Sequence, residues 1–128
     1  MQLSIMIVLV LTMCFAGIAY ALEGTATFYN RPYTPSACFG NEDHGRLVAG
    51  VSNELWNNGA ACGRTIGVMC TGATNLAPQS CIKGIDIAVV VEITDHSPKC
   101  SSTINLSEDA FSVIANPDAG RIRIEYDE

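Results

Sequence analysis

Cysteine is the side chain most able to do chemistry here, at Cys38, Cys62, Cys70, Cys81 and Cys100, with Cys14 further upstream. No C-x-x-C pair occurs, and the only histidines, His44 and His96, stand in no ligand spacing with a cysteine pair. The pattern therefore describes no zinc site, and nothing in it calls for a metal or a cofactor. Disulfides are the default use of such cysteines in an oxidising compartment, and an odd number leaves a free thiol or an intermolecular bridge. Lys99 beside Cys100 favours its thiolate, yet a lone thiol with His96 nearby in a turn is not a cysteine protease. Asn105-Leu106-Ser107 is the only N-x-S/T sequon, which makes Asn105 a candidate glycosylation site.

The compartment is set by the N-terminal segment. Residues 1–21 hold no charged side chain, and Leu3–Leu22 is long enough to span a bilayer. Ala19-Tyr20-Ala21 is an A-x-A cleavage site, Gly17 precedes it, and no basic stop-transfer cluster follows. These features describe a signal peptide over 1–21 and a secreted domain over 22–128 that is not membrane-inserted after cleavage. Cleavage removes Cys14 and leaves five cysteines. All seven Lys+Arg and thirteen Asp+Glu lie from Glu23 onward, and the net charge of −6 argues against nucleic acid or an anionic membrane as partner. One domain of this size buries barely enough apolar surface, so bridges of ~3 kcal/mol each matter to it.

Period-two alternation predicts strands, most clearly over Ile85–Thr94 and Arg121–Tyr126, with weaker candidates at Thr25–Tyr29, Leu47–Ser52, Ile66–Cys70 and Ser102–Leu106. One helix is predicted from Ser107, a good N-cap, through Ala110, Phe111 and Ile114 to the stop at Asn116-Pro117, with Glu108 and Asp109 suiting its positive end. Glu54–Asn58 reads as a further helical turn. Short strands, long loops and no crossover-length helices indicate a small β-barrel rather than a parallel α/β sheet.

Gly24–Tyr29, Pro32–Cys38, Leu55–Gly63, Cys70–Asn75 and Asn116–Tyr126 resemble the plant natriuretic peptide proteins, which are small, secreted and expansin-like, within the barwin-like endoglucanase superfamily. The resemblance covers essentially all of 22–128. It implies a mostly β fold, a six-stranded double-psi β-barrel with one or two short helices, stabilised by disulfides. It also implies an extracellular signal acting on water and solute balance through a cell-surface receptor, with cyclic GMP as second messenger. The active segment corresponds to Pro32–Arg64, where Pro32, Tyr33, Cys38, Trp56, Asn57, Asn58, Cys62 and Arg64 carry the match. Expansin pairing implies Cys38–Cys62 and Cys70–Cys81. Ser97 stands where the family shows a cysteine, which strands Cys100 as a free thiol or intermolecular bridge.

The same resemblance implies a groove built from a T-x-Y element and two Asp residues. Thr27, Tyr29 and Asp95 match, but Asn105 occupies the second Asp position. Inverting hydrolysis needs one carboxylic acid and one carboxylate, and an amide serves as neither, so the groove is vestigial and the protein is not an enzyme. Asp95 reads equally as a turn cap through backbone N–H groups or as a polysaccharide contact. Trp56 reads as packing beneath the Asn-Gly turn ahead of sugar stacking. The leading expectation is a non-enzymatic secreted signal in the apoplast. The alternative is a non-hydrolytic wall-polysaccharide binder, and a small defence protein or inhibitor is a third class.

Overall fold

The computed structural model describes residues 21–74, 80–82, 87–99 and 101–127. Residues 1–20 of the signal peptide expected over 1–21 lie outside the described residues, as do Cys100 and residues 83–86, which include the start of the strand expected over Ile85–Thr94. Among the described residues no helix is long and apolar enough to cross a membrane.

Six strands form: β1 (Leu22–Tyr29), β2 (Val48–Val51), β3 (Thr65–Ala73), β4 (Ala88–His96), β5 (Ile104–Ser107) and β6 (Ile122–Tyr126). They close into a barrel in the order β1-β5-β2-β4-β3-β6, and β6 pairs back to β1. The β1/β5 and β2/β4 pairs are parallel and the remaining pairs antiparallel. Among the described residues, closure leaves no free sheet edge.

Alternation sorts the side chains. Ile122, Ile124 and Tyr126 of β6 are buried, as are Val89, Val91 and Ile93 of β4, while Arg123 and Val90 face water. These pack with Val51, Val68, Ile104 and Leu106 into one core. Helix α1 (Asn53–Trp56) is shorter than the turn predicted over Glu54–Asn58, because Asn57 and Asn58 adopt left-handed backbone at φ 49° and 52°. Helix α2 (Glu108–Ile114) plugs one barrel end with Phe111, whose ring lies 4.9 Å from that of Phe28. Ser107 caps α2 by accepting from the Ala110 N–H at 3.1 Å, and its hydroxyl donates to the Arg46 carbonyl at 2.6 Å.

Two disulfides tie loops to this frame. Cys38–Cys62 joins the loop after β1 to the turn after α1, and Cys70–Cys81 joins β3 to the segment that follows it. Their sequence separations of 24 and 11 residues each remove about 3 kcal/mol of chain entropy from the unfolded state.

Candidate functional site

A bulge sets the site. Ala49 pairs with Ile93, but Gly50 pairs with Asp95, so Thr94 is skipped and both Ile93 and Thr94 turn inward. Asp95 thereby reaches the outer face. On that face Thr27 is opposite Asn105, Asn105 opposite Gly50, and Gly50 opposite Asp95. Four strands thus present Thr27, Asn105, Gly50 and Asp95 in one row. Gly50 lets the Ser97 side chain pack over the middle of the row, since a Cβ there would stand 2.5 Å from Ser97 Oγ and 3.5 Å from Asp95 Cβ.

The row is polar and cross-braced. The Thr27 hydroxyl donates to Asn105 Oδ1 at 3.0 Å and lies 2.7 Å from Ser102 Oγ, which in turn donates to the Ile104 carbonyl at 3.1 Å. Asp95 Oδ1 accepts the backbone N–H groups of Ala37 and His96, each at 3.0 Å. Asp95 therefore fastens the loop after β1 while its other oxygen takes no part in those bonds. Two strand steps of ~4.8 Å put Asn105 and Asp95 about 10 Å apart, near the span of an inverting carboxylate pair. Only one member of that pair is a carboxylate here.

Tyr29 shares the outer face with Thr27, opposite Ser107. Its hydroxyl is buried facing that of Thr94, and neither has a partner in regular hydrogen-bond geometry. Burial, with the Asp95 charge adding to it, pushes the Tyr29 phenol up to about 12, so it stays neutral. Its ring meets Tyr33 edge-on at 5.4 Å, and Tyr29 therefore supports the groove rather than reaching into it.

The residues of the segment expected to be active, Pro32–Arg64, divide into two groups. Pro32 is exposed, while the Tyr33 hydroxyl donates to Asp109 Oδ2 at 2.7 Å beside the Arg31 guanidinium, which holds Asp109 bidentately at 3.0 and 2.7 Å. These partners bring the Asp109 carboxyl down to about 2, the Arg31 bonds contributing most. Trp56 packs against the core and stacks on His96 at 4.5 Å and 1°, and His96 Nε2 lies 2.6 Å from Asn53 Oδ1. Asn57, Asn58 and Arg64 are exposed, and the Cys38–Cys62 bond connects the two groups. Among the described residues, no ring contact or hydrogen bond joins Tyr33 to Trp56–Arg64.

Three elements of the site carry no motif in the sequence. His44 is stacked on Phe39 at 3.9 Å and lies between Glu92 at 2.8 Å and Glu42 at 3.0 Å. Its imidazolium can donate from both nitrogens, and the hydrogen bond to Glu92 leads the effects that raise its pKa. Arg31 and Asp109 pair across 78 residues of sequence, and Asp109 serves this pair as well as the start of α2. Gly50 is the third.

A family model described as lytic transglycolase matches residues 48–126. An EG45-like domain containing protein of Citrus jambhiri is 47% identical, covering 98% of this chain and 95% of that protein. The EG45-like domain containing protein 2 of Arabidopsis thaliana is 44% identical over 95% and 92% of the two chains. The chain belongs to the EG45-like, expansin-like family. The barrel of this EG45-like protein is accordingly a double-psi β-barrel. Apo expansin of Clavibacter michiganensis superposes with a TM-score of 0.61 at 26% identity, over 84% of this chain and 49% of the expansin. The EG45-like chain thus spans about half the length of that expansin. An Asp-to-Asn variant of the same expansin, in complex with cellohexaose, superposes with a TM-score of 0.60. The Streptomyces papain inhibitor, at 23% identity and a TM-score of 0.57, shares the fold alone.

Proposed function

We propose that this EG45-like protein is a secreted, non-hydrolytic binder of neutral cell-wall β-glucan in the apoplast. The observation that carries this reading is the row Thr27–Asn105–Gly50–Asp95, which brings a hydroxyl, an amide and a carboxylate onto one outer face across four strands, with Ser97 packed over Gly50. Hydroxyl-rich, uncharged chains are matched by such mixed groups. A related expansin in complex with cellohexaose supports the choice of ligand class. Asn105 supports the absence of hydrolysis, because Asp95 alone supplies one of the two carboxyl groups the reaction needs. Co-sedimentation with insoluble cellulose, together with an assay for reducing ends, tests both halves. Retention in the pellet with no reducing ends released is the expected result, and release of soluble sugar overturns the non-hydrolytic half.

A second reading is a signal that regulates water and solute balance through a cell-surface receptor and cyclic GMP. It is favoured by the exposed positions Pro32, Asn57, Asn58 and Arg64, whose two stretches of chain the Cys38–Cys62 bond ties together. Protoplast swelling and cyclic GMP, measured with the oxidised protein and with a Cys38→Ser/Cys62→Ser variant, test it. A response confined to the oxidised protein is expected, and no response from either removes the reading.

A further inference from the structure

The groove does not end at Tyr29. Through the edge contact with Tyr33 it continues into an open cleft of about 620 Å³ lined by Arg31, Pro32, Tyr33, Thr34, Asp43 and Arg46, among others. The chemistry changes there. The row from Thr27 to Asp95 mixes donors and acceptors, whereas the cleft is dominated by guanidinium donors. Arg31 spends Nε and one Nη2 proton on Asp109, which locks the plane of its guanidinium while leaving Nη1 unused on a side chain that is 54% exposed. Asp109 is in turn satisfied by Arg31 and Tyr33, so it does not draw on Arg46 for a hydrogen bond. Arg46 makes no ion pair among the described residues, although its charge is felt at Asp109. The one carboxylate in the lining, Asp43, has Oδ1 committed to the Gly45 N–H at 2.8 Å.

An arrangement with one immobilised guanidinium, one unpaired guanidinium and the flat sides of Pro32 and Tyr33 calls for an acceptor-rich ligand with an apolar ring face. A sugar ring bearing a carboxylate has both, and a guanidinium fork matches a carboxylate bidentately. An acidic peptide supplies the carboxylate but not a saturated ring to lie along Pro32 and Tyr33. We infer that the Arg31–Tyr33–Arg46 cleft is a binding site for uronic acid residues of an acidic polysaccharide, placed at one end of the neutral-glucan groove. The site deepens the polysaccharide reading but does not depend on it, since its ligand and its residues are different.

The test uses the full secreted chain and three probes: an oligogalacturonate, its methyl ester, and cellohexaose. Calorimetric titration should show the free acid binding about tenfold more tightly than the methyl ester, because esterification removes the charge that Arg46 recognises. Arg46→Gln should lose about tenfold of that affinity while Arg46→Lys retains part of it, and neither should change binding of cellohexaose. Thr27→Val should weaken cellohexaose and leave the oligogalacturonate alone. Circular dichroism checks that each variant is folded. Equal affinity for acid and ester, no binding of the acid, or an Arg46→Gln variant with wild-type affinity would overturn the proposal. So would an oligoglutamate peptide binding as tightly as the uronate. Loss of cellohexaose binding alone would instead count against the groove.

Discussion

The Thr27 hydroxyl donates to Asn105 Oδ1 across β1 and β5 at 3.0 Å. This bond occupies the amide oxygen at the position where a hydrolytic groove would carry its second carboxyl group. It leaves the amide nitrogen of Asn105 outside that bond, on a residue paired with Gly50. An amide there gives Asp95 no carboxyl partner for proton transfer, as the proposed non-hydrolytic reading requires.

Asp95 is a structural acceptor as well as a candidate ligand contact, and the two roles separate by substitution. Asp95→Asn keeps an oxygen for the Ala37 and His96 N–H groups, whereas Asp95→Ala leaves both without their acceptor. Chemical denaturation should show the alanine variant destabilised by about 1–3 kcal/mol and the asparagine variant by less than half of that. Equal losses would mean that charge, not the backbone bonds, is what Asp95 contributes to the fold.

The buried hydroxyls of Tyr29 and Thr94 face each other without regular hydrogen-bond geometry, so removing them should help. Tyr29→Phe and Thr94→Val are each expected to raise stability by about 1 kcal/mol, a gain of roughly 4 °C in Tm for a domain of this size. Tyr29→Phe should leave glucan affinity unchanged, since the phenol does not reach the groove. A falling Tm in both variants would show that the hydroxyls are satisfied in solution.

His44 gives the loop after β1 a pH dependence. Its pKa is raised in the folded state by Glu92 and then by Glu42. Its contribution is therefore fully present below the unfolded value of about 6.5 and is lost as pH rises through the folded value. Wild-type Tm should fall over that window more than the Tm of His44→Gln. Parallel Tm profiles would remove His44 as the titrating group.

Much of the barrel was legible in the sequence because β6 and the described part of β4 follow a period of two, with the apolar set inward. The bulge was not. Ile93-Thr94-Asp95 contains no glycine or proline to mark the skipped residue, and only pairing with β2 shows that Thr94 turns inward and Asp95 outward. The turn expected over Glu54–Asn58 forms as α1 followed by a 3-10 turn over Asn57–Gly59, and the kink between them, set by the left-handed backbone of Asn57 and Asn58, is a tertiary choice that helix propensity does not encode. Among site residues, Thr27 and Asn105 could be singled out, whereas Arg31–Asp109 and His44–Glu92 join positions 78 and 48 residues apart. Asp109 in particular reads locally as a favourable charge at a helix start, and its role in holding Arg31 and Tyr33 emerges only when the barrel brings β1 beside α2.

The central claim is that the strip from Thr27 to Asp95 binds neutral β-glucan. Calorimetric titration of cellohexaose into the wild type and into a Thr27→Val/Asp95→Ala variant tests it most directly, with folding of both checked by circular dichroism. The account predicts saturable binding by the wild type and a loss of at least about tenfold in the folded variant. A wild type that binds no cellohexaose, or a folded variant that binds it equally well, would contradict the account.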